Sequence, residues 1–144
     1  MTVQPIPPGY HTITPYLIAA DPTASLDFLE RGLGGEVTER MEDDSGVVRH
    51  AEVRIGDSLV MLGPARPDWP ARPAMLYLYV EDCEAWYARA LEQGATSVQA
   101  PTDQFYGDRV AAVQDAAGNQ WWLATHVEDV TPDEMQKRMQ AMQG

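Results

Sequence analysis

Three histidines, one cysteine and the carboxylates beside them bound the chemistry open to this 144-residue chain. His50 stands in the run Arg49-His-Ala-Glu-Val-Arg-Ile, whose alternation of polar and apolar types reads as a strand. Alternation puts His50, Glu52 and Arg54 on one face and Ala51, Val53 and Ile55 on the other. A histidine and a glutamate sharing a strand face are a base–carboxylate pair of the right types for proton transfer. The same residues equally describe a solvated strand face with a cross-strand salt bridge. His11 and His126 flank the first and last strands and read as surface or hinge residues, and no two histidines stand at metal-ligand spacing. Cys83 has no second cysteine for a disulfide or a zinc knuckle, and reads as a small packing residue early in a helix. Gly32-Leu-Gly-Gly35 follows a helix rather than opening one, which makes it a C-cap and not a phosphate loop. Neither a Gly-x-Ser-x-Gly elbow nor a His-Glu-x-x-His pair is present.

The elements that must position these groups repeat. Tyr16-Leu-Ile-Ala-Ala-Asp21 set over Tyr77-Leu-Tyr-Val-Glu-Asp82 matches at Tyr, Leu and Asp with a constant offset of 61 residues. Each segment reads as a short strand ending in an Asp that caps the next helix. The first helix is predicted from Pro22 to about Leu33, with Leu26, Leu29 and Leu33 as its apolar stripe. The second carries Trp86, Ala90 and Leu91 and ends at Gly94. Strand-like stretches follow at Glu36–Met41 and Thr96–Ala100. A hairpin then closes each unit, with turns at Gly56-Asp57 and Gly118-Asn119. Four prolines within Pro64–Pro73 exclude a helix or a central strand, so this stretch is a linker; its Trp69 packs down, clasps a partner or covers a pocket. Thr131-Pro-Asp-Glu134 is a capping box before Met135, Met139 and Met142, one apolar helix face that docks on the domain or on a second subunit. The pattern predicts one domain over 1–144: a first β-α-β-β-β unit at 9–63, the linker at 64–73, a second unit at 74–126 and a C-terminal helix at 131–143.

Composition narrows the partners. Hydrophobic residues make up 44% and charged residues 22%, a globular balance. A formal charge of −12 argues against nucleic acid or an anionic membrane as partner, because both require clustered Lys and Arg. The N-terminus lacks the features of a signal peptide, and no apolar run approaches the ~18 residues of a membrane span. A cytoplasmic protein is expected.

Two βαβββ units joined by a linker resemble the vicinal-oxygen-chelate superfamily, which includes glyoxalases, extradiol dioxygenases and bleomycin-resistance proteins. Thr12-Ile-Thr-Pro-Tyr16-Leu, Arg49–Ser58, Leu78–Asp82, Gln104-Phe-Tyr-Gly-Asp-Arg109 and Ala124–Met135 are similar to its PhnB-like branch. The resemblance spans essentially the whole chain. It implies an α+β fold in which each unit curls four strands into half of an open cup, the halves pairing within or between chains around a ligand cavity. It also implies a homodimer.

The superfamily's metalloenzymes hold a divalent ion with His, Gln or Glu from the first and last strands of the units. Carried over, those positions fall near Thr14, near Met75, on Val60 or Met61, and on Trp122. None supplies a usable ligand, so the resemblance implies neither metal nor cofactor. With Thr14 and Met75 facing the cup, parity places Tyr16, Tyr77 and Tyr79 beside them, Trp122 joins from the final strand, and Phe105-Tyr106 lies on the loop entering the seventh. These rings either line a cavity or fill the core. Arg109 either pairs with Asp108 at the strand start or meets an anionic ligand at the cavity mouth. The expected function is metal-free binding of an aromatic or planar small molecule through Tyr16, His50, Glu52, Tyr77, Tyr79, Tyr106, Arg109 and Trp122. The alternative is a glyoxalase-like lyase or isomerase using His50 and Glu52 as catalytic groups, with or without a divalent metal.

Overall fold

The 61-residue offset is a repeat of structure. The computed structural model describes residues 2–143, so residues 1 and 144 of the expected domain lie outside it. The first unit runs β1 (Tyr16–Ala19), α1 (Pro22–Arg31), β2 (Glu36–Glu42), β3 (Val48–Ile55) and β4 (Ser58–Pro64). The second runs β5 (Met75–Tyr79), α2 (Cys83–Glu92), β6 (Thr96–Asp103), β7 (Asp108–Gln114) and β8 (Gln120–His126), and α3 (Pro132–Gln143) closes the chain. Each unit forms its own four-stranded sheet, ordered β1-β4-β3-β2 and β5-β8-β7-β6, with the first strand parallel to the last and the others antiparallel. This is the expected α+β architecture of two βαβββ modules and a C-terminal helix. Among the described residues no helix is long and apolar enough to cross a membrane.

Local chemistry sets the helix ends. The Asp21 carboxylate accepts from the Ala24 N–H at 3.1 Å, and Asp82 does the same for Ala85 at 3.2 Å. Pro22 occupies the first helical turn, where a missing N–H leaves nothing unsatisfied. Helix α1 stops at Arg31, earlier than its apolar stripe, so Leu33 packs in the core from beyond the helix end. Gly34 adopts φ +66, and a Cβ there would meet the Arg89 guanidinium; Arg89 also donates to the Gly32 carbonyl at 3.3 Å. One arginine of α2 thus caps α1 and ties the two modules together.

Both helices pack on one face of their sheets. Leu26, Leu29 and Leu33 meet Leu17, Val53 and Leu62, while Cys83 and Ala90 meet Val113, Trp121 and Leu123 in the same apolar cluster. Burying such side chains contributes roughly 1.5–3 kcal/mol each. The β7–β8 turn is held by the buried Asp115, which accepts from the Ala117 and Asn119 amides, the Asn119 side chain and the Trp121 indole N–H at 2.9–3.2 Å. Helix α3 differs from expectation. The Thr131 hydroxyl caps the Glu134 N–H at 3.2 Å, but the Glu134 carboxylate turns to Arg138 instead of closing the capping box. The helix buries no residue, and Met139 and Met142 stay exposed, so the methionine stripe does not dock on this chain. Its anchor is Arg138, which grips both Glu128 carboxylate oxygens and donates to the Phe105 carbonyl.

Candidate functional site

The faces turned away from the helices carry the polar and aromatic groups. On the first sheet, Tyr16 pairs with Met61 and Met61 with Glu52, so these three share a face with His50. The register settles the earlier choice: Met61 lies on the face turned away from the helices, and Val60 is buried on the helix side. His50 Nε2 lies 3.1 Å from Glu52 Oε2, and the Tyr16 ring sits 6.0 Å from the His50 ring. Tyr16 lies over Gly63, where a Cβ would approach its hydroxyl oxygen to 2.5 Å, so a side chain there would displace the phenol.

On the second sheet, Tyr77 pairs with Trp122 and Tyr79 with Ala124, and the two tyrosine rings meet edge-on at 5.4 Å. Both hydroxyls donate to Asp108 Oδ2 at 2.8 Å. The Tyr106 hydroxyl lies 3.3 Å from that of Tyr77, and the Trp122 indole N–H donates to Gln120 at 3.1 Å. The Asp108 side chain is only 3% exposed, and its other oxygen lies 2.9 Å from His126 Nδ1. The second ring nitrogen of His126 meets Asp129 at 2.8 Å. Burial pushes the Asp108 carboxyl up, but hydrogen bonds from His126, Tyr77 and Tyr79 outweigh it and leave the group below its ordinary range. The bonds to Asp108 and Asp129 raise His126 above its ordinary value. Burial and the hydrogen bonds with Tyr106 and Asp108 raise Tyr77, and the Asp108 bond raises Tyr79. With both nitrogens engaged, His126 has no free lone pair to act as a base; it positions Asp108.

The fold therefore brings Tyr16, His50 and Glu52 together on one sheet and Tyr77, Tyr79 and Tyr106 together on the other, with Trp122 beside Tyr77. Arg109 goes elsewhere. Adjacent strand residues face opposite ways, so Arg109 lies on the helix side, bonded to Glu84 at 2.8 Å and Asp103 at 3.0 Å. The expected Asp108–Arg109 pair is replaced by Asp108–His126. Sequence reasoning missed Asp108 and His126 as site residues. Counting outward from the Gly118 turn places them opposite each other, the one signal that could have found them.

Two hollows flank these faces. A groove of about 690 Å³ runs beside β5, walled by Val60, Leu76, Leu78, Trp86 and Trp121 and by the turn at Gly56. A smaller one of about 380 Å³ is formed by Tyr16 and Ile18 with the linker residues Asp68, Trp69 and Arg72. Trp69 is half exposed, with the Arg66 guanidinium 4.9 Å from its ring.

The fold and these faces can be set beside known proteins. The model of the glyoxalase/bleomycin resistance protein/dioxygenase superfamily matches residues 10–123. The chain belongs to this superfamily. An uncharacterised protein of Mycobacterium bovis is 32% identical over 138 residues, covering 88% of this chain and 91% of that one. TioX from Micromonospora sp. ML1 is similar in structure, with a TM-score of 0.71 at 24% identity over 81% of this chain and 99% of that one. TnmS3 from Streptomyces sp. CB03234, described as an antibiotic binding protein, gives 0.66 at 23% identity over 81% and 95%. These two likenesses concern the fold.

In the superfamily's metal-dependent members the ligands are His, Gln or Glu on the first and last strands of the units. Here the positions carried over hold Thr14, Met61, Met75 and Trp122, and among the described residues no three His, Cys, Asp or Glu side chains converge as a metal site requires. The donor set does not fit a divalent ion.

Proposed function

We propose that this chain is a metal-free, cytoplasmic binder of an aromatic or planar small molecule, of the PhnB-like branch, and that it works as a homodimer. The observation that carries this is that the site rings stay out of the core. Tyr16 is 43%, Tyr77 40%, Tyr79 66% and Met75 61% exposed, while Trp121 and the leucines fill the helix side. An apolar, aromatic surface with a few fixed polar groups is what a planar ligand requires. The description of the structural neighbour TnmS3 as antibiotic binding supports the same class. The exposure of these rings supports the homodimer reading, in which a second copy packs across the two faces.

Calorimetric titration of chelator-treated protein with planar aromatic compounds is the test. Saturable binding that Tyr77→Ala and Trp122→Ala weaken is expected. Binding that requires stoichiometric Ni, Zn, Fe or Mn would overturn the metal-free reading.

The 3.1 Å contact of His50 with Glu52 favours an alternative, a lyase or isomerase in which His50 moves a proton and Glu52 orients it. A turnover that His50→Ala abolishes while ligand affinity is retained would establish it.

A further inference from the structure

The face of the second sheet turned away from helix α2 offers hydrogen-bond acceptors, and among the described residues its strands place no Lys or Arg on it. The Tyr77 and Tyr79 hydroxyl protons are both committed to Asp108, so both phenol oxygens are left as acceptors; that of Tyr77 already accepts from the Tyr106 hydroxyl at 3.3 Å and keeps one lone pair, while that of Tyr79 keeps both. Directly behind them lies a buried carboxylate. Strands β5, β6 and β8 contain no Lys or Arg, and the arginine of β7 points to the helix side. Among the described residues His126 is the group on these strands that can carry positive charge, and it stands between two carboxylates, Asp108 and Asp129. The local charge is therefore negative even with His126 protonated, within a chain of formal charge −12.

We propose that this face is a cation subsite: the ligand is an aromatic molecule bearing an ammonium, amidinium or similar N–H cation. Its N–H groups bond the Tyr77 and Tyr79 oxygens, its charge faces Asp108, and its body lies against Tyr77, Tyr79 and Trp122. The inference rests on the small-molecule-binding reading and names the class of molecule. Three effects act in the same direction. A cation over tyrosine and tryptophan faces is attracted by their ring quadrupoles. Phenol oxygens whose protons are held by a carboxylate are stronger acceptors than free phenols. A carboxylate removed from water projects its field further than a solvated one.

The experiment is a calorimetric titration near neutral pH with three probes sharing one ring system: 1-naphthylmethylammonium, 1-naphthylmethanol and 1-naphthylacetate. The ammonium should bind about tenfold more tightly than the alcohol, and the carboxylate most weakly. Tyr79→Phe keeps an exposed ring and removes one acceptor; it should weaken ammonium binding by roughly three- to tenfold and alcohol binding by less than about twofold. Tyr77→Phe should behave alike, which keeps the test open where Tyr79→Phe impairs folding. Alcohol and ammonium binding equally, the carboxylate binding best, or an ammonium preference untouched by both Phe variants would each overturn the cation subsite and leave the binding reading standing. Failure of all three probes to saturate the protein would overturn both.

Discussion

At the scale of residues, the Asp108–His126 pair has a definite pH signature. His126 is raised above the ordinary ~6.5 by its two carboxylates, so its contribution to stability is complete below that value and drains away as pH rises through the folded pKa. Asp108 is lowered, so its contribution is complete above the ordinary ~3.9 and is lost as pH falls through its folded value. The pair is therefore firmest between these limits. A proton NMR titration should find the His126 ring protonated above its ordinary midpoint, with Asp108→Asn moving the midpoint down; an unmoved midpoint would disprove the coupling. The tyrosines and Trp122 were legible because strand parity fixes their face once one residue is placed. Asp108 and His126 were not, because polar residues at both ends of a hairpin look like loop. Their ion pair extends pairing to the hairpin's outer end, where composition alone ends the strand early.

At the scale of elements, the Asp115 turn and the Arg138 anchor hold the second module in different ways. Asp115 satisfies four donors in a buried turn, so Asp115→Ala should cost about 2–3 kcal/mol in urea denaturation, the price of stranding those N–H groups. A loss under ~0.5 kcal/mol would show that water replaces the carboxylate there. Gly107 sits at φ +100, and a Cβ would collide with the Glu128 backbone oxygen. Gly107→Ala should therefore destabilise by roughly 1–3 kcal/mol and expose the tail to protease first. Helix α3 contributes little burial, so Arg138→Ala should leave the thermal midpoint nearly unchanged while limited proteolysis removes residues beyond Val130. The caps at Asp21 and Asp82 and both hairpin turns were readable from residue types alone. The α3 docking face was not, because a methionine stripe fixes the periodicity of a helix and says nothing of what covers it.

At the scale of the molecule, the duplication made the architecture legible, since the same order of elements twice over leaves few ways to fold. What covers the ring-bearing faces was not legible, because the residue pattern of a strand fixes which side it turns and not what packs against that side. If a second copy packs across them, sedimentation at micromolar concentration should give a dimer, and adding a bound aromatic amine should tighten it. A chain that stays monomeric while binding with full affinity would require the two faces to close on each other.

Trp121 and Trp122 are neighbours in sequence on opposite sides of one sheet: the first is 1% exposed with its indole N–H on Asp115, the second turned away from the helices beside Tyr77. This arrangement builds two independent spectroscopic channels into consecutive residues. With 5-fluorotryptophan incorporated, the Trp121 resonance should shift only when the core melts, whereas the Trp122 resonance should respond to occupancy in the folded state. Binding and unfolding can then be followed separately in one sample, without an added label on either face.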